Sequence, residues 1–176
     1  MSEKLLKLLA PLVALLAATA KTFVPSRLLG TEGWHWNPIR RLVLPPLDRL
    51  KRDRGLGYGS YSLSEDEFAG SHPSTPREVG EELAKSGYSR MPLSALKKSP
   101  DGSRVESASW AKRESTTADY QTHVMLFEND DGGTDVYAHH EYNAMSPKHA
   151  YEHYRGVDQN FEKGIEMVKE DLTEIK

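Results

Sequence analysis

The chain has 176 residues, a formal net charge of −3 and 38% hydrophobic residues. That length suits one folded domain plus additional segments, and an apolar share below the usual 45–50% or so concentrates the core in part of the chain. Cysteine is absent, which excludes disulfides, thiolate metal sites and cysteine nucleophiles, and the small net charge marks neither a general nucleic-acid binder nor a polyacid.

Charge is unevenly spread. Residues 1–60 hold ten Lys and Arg against four Asp and Glu, a net +6, whereas residues 61–176 hold thirteen against twenty-two, a net −9. An apolar, cationic front joined to an acidic, polar rear points to a protein that sits on something else. Residues 8–20 are uncharged and flanked by Lys4, Lys7 and Lys21. Three readings fit this stretch. Lys4 and Lys7, a short apolar run and Ala18-Thr19-Ala20 fit a secretory signal with its cleavage site. A spanning helix needs about 20 apolar residues, which this stretch reaches only by tolerating Lys7, Pro11 and Lys21. The third reading is a helix lying on a membrane or partner surface, with Leu12, Leu15 and Leu16 as contacts. Residues 1–24 are expected to form an apolar anchor or interaction helix, with export by a signal peptide as the second choice. If the segment spans, Lys21, Arg27, Arg40 and Arg41 place the rest of the chain on the cytoplasmic side.

Residues 25–74 read as a basic arm rich in Pro and Gly, with room only for short helices such as 47–54 after Pro45-Pro46. Trp34, Trp36, Arg40 and Arg41 follow the apolar segment, where amphipathic rings and cations suit a membrane interface or a neighbouring protein subunit. Single-stranded nucleic acid is the least favoured partner, and Arg40, Arg41, Arg49, Arg52 and Arg54 give a third function class, a phosphate- or lipid-binding module. Gly55-Leu56-Gly57-Tyr58-Gly59-Ser60 lacks the strand, helix and Lys-Ser/Thr pair of a nucleotide loop and reads as a linker into an acidic turn, Ser64-Glu65-Asp66-Glu67.

Residues 75–176 hold most of the core pattern. Thr75-Pro76-Arg77-Glu78 is a capping box with Pro at the first helical position, Gly87 is the stop, and Val79, Leu83 and Ala84 form the buried face. Four extended runs follow, at 92–98, 104–113, 123–128 and 135–142, with a turn at Pro100-Asp101-Gly102 and a hairpin loop within 129–134. Ser146-Pro147 opens a closing helical region broken at Gly156, with Val157, Phe161, Ile165, Val168 and Leu172 on one face. The expected fold is α+β: an antiparallel four-strand meander with one face covered, flanked by an N-terminal and a C-terminal helix.

Five of the seven histidines, His123, His139, His140, His149 and His153, lie in this domain within 31 residues of sequence. Pairing Asn129 with Thr134 sets His123 opposite His140 and turns His139 to the other face, while His149 and His153 share a helix face. His123, His140, His149 and His153 could then chelate a divalent metal such as zinc, with Glu141 or Glu152 as carboxylate ligand or base. The competing reading is a polar aromatic seam with Tyr142, Tyr151 and Tyr154 and no cofactor. No serine lies in a nucleophile elbow. The leading expectation is a non-enzymatic structural or interaction protein, docked by residues 1–74 on a membrane or a larger multiprotein assembly. The alternative is a small membrane-tethered or exported His-dependent metal hydrolase.

Overall fold

A computed structural model describes residues 62–91 and 94–176, together with helical residues at 41–42 and 45–46. The expectations for Leu12, Leu15, Leu16, Trp34, Trp36, Arg40 and most of the arm lie outside the described residues, whereas Arg41 is described and exposed.

The described chain begins with a local cap. Glu67 Oε2 accepts from the Ser64 amide at 2.6 Å and the Ser64 hydroxyl accepts from Asp66 N at 3.2 Å, closing a 3-10 turn, Glu65–Glu67. Strand β1 (Phe68–His72) follows directly. Helix α1 (Pro76–Lys85) starts at the expected capping box, with Glu78 Oε2 accepting from Thr75 N at 2.9 Å, and Gly87 ends it at φ +90°. Strands β2 (Ser89–Arg90), β3 (Ala108–Lys112), β4 (Tyr120–Glu128) and β5 (Thr134–Tyr142) complete one antiparallel sheet in the order β1-β5-β4-β3-β2. Helices α2 (Ala150–Tyr154) and α3 (Phe161–Asp171) close the chain.

The α+β class is as expected, but the sheet has five strands rather than four. Both edge strands differ from the expected set. Of the run at 92–98, Lys98 makes isolated bridges to Val105 and Ser62. Asp101 explains the break, because it takes the hydroxyls of Ser99 at 2.5 Å and Ser103 at 2.6 Å and holds a local turn that competes with a ladder. The edges are instead the two-residue β2 and β1, which the sequence reading leaves in the arm. Val157 also departs from the expected helix face: Asp158 turns the chain at φ 59°, α3 begins only after the Asn160 cap, and Val157 is exposed.

Both faces of the sheet are covered, not one. On the first, Val79 and Leu83 of α1 and Val168 and Leu172 of α3 pack on Trp110, Val124, Leu126, Val136 and Ala138. Helix α3 crosses β5 at Gly164, where an added Cβ would run into the His139 backbone, 2.7 Å from its nitrogen. On the second face Leu63 covers Met125, Phe127 and Tyr137. Farther from the hairpin loop that face changes character and buries Gln121, His123, His139 and Glu141.

The hairpin register decides which histidines meet. Asn129 does not pair with Thr134. Its side-chain oxygen accepts from Gly133 N at 2.8 Å and its carbonyl from Gly132 N at 3.1 Å, so it belongs to the loop. Glu128 therefore pairs with Thr134, and every partner shifts by one residue relative to the expected register. His123 faces His139, and Thr122 faces His140. A one-residue slip exchanges the two faces of a strand.

Candidate functional site

Five strand residues, Ser109, Gln121, His123, His139 and Glu141, and the turn residue Glu67 meet on the second face. Glu141 sits at the centre. Gln121 Nε2 donates to its Oε1 at 2.6 Å, His123 Nδ1 lies 3.3 Å from Oε1, and His139 Nε2 and His153 Nδ1 lie 3.4 and 3.3 Å from Oε2. Each of the two strand imidazoles is held at its other nitrogen. Glu67 Oε1 lies 2.6 Å from His139 Nδ1, and Ser109 Oγ lies 2.5 Å from His123 Nε2. The two rings meet edge to face with centroids 5.1 Å apart. Relative exposures of 1% for His139, 3% for Glu141, 5% for Glu67 and 6% for His123 show that the group is sealed.

No family model, curated protein or solved structure matches the chain. The chemistry of the site therefore rests on its own residues.

Of the four histidines expected to converge, two reach this cluster. His123 is a member, and His153 sits at its rim, with Nδ1 also 2.8 Å from the Tyr142 carbonyl. His140 and His149 join an aromatic stack instead: His149 lies 4.2 Å from the Tyr142 ring, and Tyr120 stacks on both Tyr142 and His140. Glu152 lies on α2 outside the cluster. His139, Glu67, Ser109 and Gln121 are the members missed in the sequence. His139 is lost through the register, and Glu67 through placing the acidic turn in the arm, although Ser64-x-x-Glu67 is itself a capping-box signature.

The charges follow from this packing. Burial opposes a charge on His139, but Glu141 and Glu67, one at each ring nitrogen, outweigh it and push its pKa up to about 9 from 6.5. At His123 burial prevails over the attraction of Glu141, and the pKa falls from 6.5 to about 4. Burial also opposes ionisation of Glu141, yet His153, His139 and His123 hold its carboxyl well below the usual carboxylate range.

These directions set a pH profile for the metal-free domain. His139 contributes stability that is complete below pH 6.5 and lost as pH rises through about 9. His123 acts in the opposite sense. The unfolded chain gains a proton below pH 6.5 that the folded chain refuses until about pH 4, so stability falls across that interval. Glu141 adds to the acid limb, because its contribution is present above pH 4.5 and lost as pH falls further. Urea unfolding in chelator should show a maximum near pH 6.5, with losses of a few kcal/mol towards either limit. His139→Gln should flatten the alkaline limb and His123→Gln the acid limb. A profile flat from pH 5 to 9 would contradict this charge assignment.

Proposed function

We propose that the chain is a non-enzymatic attachment protein: residues 1–60 dock it on a membrane or a larger assembly, and the α+β domain is the part displayed. The observation that supports this reading is the closure of the domain's richest group of titratable side chains. His123, His139 and Glu141 are all buried, whereas a hydrolase needs its base and nucleophile where a substrate can enter. The alternative hydrolase centre on His123, His140, His149 and His153 has less support, since His123 and His140 lie on opposite faces of the sheet. The net +6 of residues 1–60 and their uncharged stretch supply both electrostatic and apolar means of attachment. Among the described residues no helix is long and apolar enough to cross a membrane.

Sufficiency is tested by fusing residues 1–60 to a soluble carrier. The carrier should move into the membrane or large-particle fraction, and Trp34→Ala with Trp36→Ala should weaken the transfer. Release by detergent identifies lipid as the support, and release by salt alone identifies an electrostatic contact with anionic lipid or a charged protein surface. A carrier that stays in the supernatant counts against the proposal.

A further inference from the structure

The most developed chemistry in the molecule is the cluster on the second sheet face. We infer that His123, His139 and Glu141 bind a divalent first-row metal ion, with zinc the first choice, as a structural centre inside the domain. Their donor atoms lie within 4.8 Å of one another. His123 and His139 are direct cross-strand partners and Glu141 follows His139 by two residues, so a regular hairpin places all three on one face.

Three observations point to an ion rather than to a simple ion pair. The first is distance. His123 Nδ1 and His139 Nε2 stand 3.3 and 3.4 Å from the Glu141 oxygens, too long for charge-assisted hydrogen bonds of about 2.7–2.9 Å. Metal bonds of about 2.0–2.2 Å in a tetrahedron separate neighbouring ligand atoms by about 3.3–3.6 Å, the range of these two nitrogen–oxygen distances, each to its own oxygen of Glu141. The second is an orphan. His139 Nε2 is fully buried, is aimed at Glu141 and has no hydrogen-bond partner. A buried nitrogen held at this distance is poorly satisfied, and an ion that displaces its proton would bond it directly. The third is the outer shell. Ligating imidazoles use their far nitrogen to bond a carboxylate or other acceptor, which fixes the tautomer and aims the near nitrogen at the ion. Glu67 does this for His139 and Ser109 for His123.

Gln159 links the cluster to the surface. Gln159 Nε2 lies 3.4 Å from Glu141 Oε2 and lines a surface groove of about 1010 Å³. Five carboxylates and one lysine border that groove, a field that concentrates cations beside the cluster. The donor set of two imidazoles and one carboxylate suits zinc or iron(II) and not magnesium or calcium, which prefer all-oxygen sites. Occupation of this site does not depend on where residues 1–60 attach.

The test uses the untagged full-length chain, purified without chelator. Elemental analysis should find stoichiometric zinc or iron. Stripping the ion should lower the thermal midpoint, and adding back Zn²⁺, or Fe²⁺ without air, should restore it, while Mg²⁺ should not. His123→Ala and His139→Ala should abolish stoichiometric uptake, and His149→Ala should leave it intact. Because the first two remove buried groups, Glu67→Gln provides a milder test, with affinity falling roughly ten- to hundredfold. Co²⁺ soaked into the stripped wild-type chain should give the visible absorption of a low-symmetry four-coordinate site. A stripped chain that takes up no Zn²⁺, Fe²⁺ or Co²⁺ and shows no thermal shift would overturn the inference. So would full uptake by folded His123→Ala or His139→Ala.

Discussion

Replacing Glu141 with Ala should destabilise the metal-free domain by about 3–5 kcal/mol, the range for removing one member of a buried charge network. Its carboxylate accepts from Gln121 and faces His123, His139 and His153 at 3.3–3.4 Å, and the residue is buried. Deletion leaves the His139 cation with Glu67 alone and leaves the Gln121 amide without its 2.6 Å acceptor. Domains of this size have about 5–15 kcal/mol in total, so the loss is a large share of the whole. Urea unfolding at pH 6.5 in chelator measures it. Glu141→Gln, which keeps the shape and removes the charge, should recover part of the packing and none of the ion pairing. A cost below about 1 kcal/mol for the alanine variant would mean that water enters the cluster and screens it.

Gly164→Ala should also destabilise, by about 2–3 kcal/mol, although alanine is the better helix former by about 1 kcal/mol. Gly164 lies inside α3 where the helix meets β5, and a Cβ there would strike the N, Cα and C atoms of His139. Backbone cannot rotate away as a side chain can, so helix and strand must separate and core contacts of Val168 must loosen. The same shift tilts His139 within the cluster, so the variant should lose part of the alkaline limb of the pH profile as well. A neutral or stabilising outcome in urea unfolding would show that α3 docks on β5 differently.

The sequence discloses some of this arrangement directly. The capping box at Thr75 and the extended runs at 123–128 and 135–142 are local signals, and the helix and strands form where those signals lie. Strand β1 is not legible, because Phe68-Ala69-Gly70-Ser71-His72 has weak strand propensity. It is extended by its partners: Ser71 and His72 pair with Asp135 and Thr134, and on the other side Ser71 exchanges two 3.0 Å hydrogen bonds with Lys176. The candidate site turns on one side chain. Asn129 can continue a strand or cap a loop, and only the second choice brings His139 to His123. The meeting of Glu67 with His139, 72 positions apart, is a tertiary fact with no local signature.

The measurement that bears most directly on the attachment role is fractionation of the full chain beside residues 62–176. The full chain should be recovered with membranes or in a large particle, and residues 62–176 should stay in the supernatant as a cooperatively folding monomer. A full-length chain that is already a soluble monomer, without detergent, lipid or partner, would contradict the account.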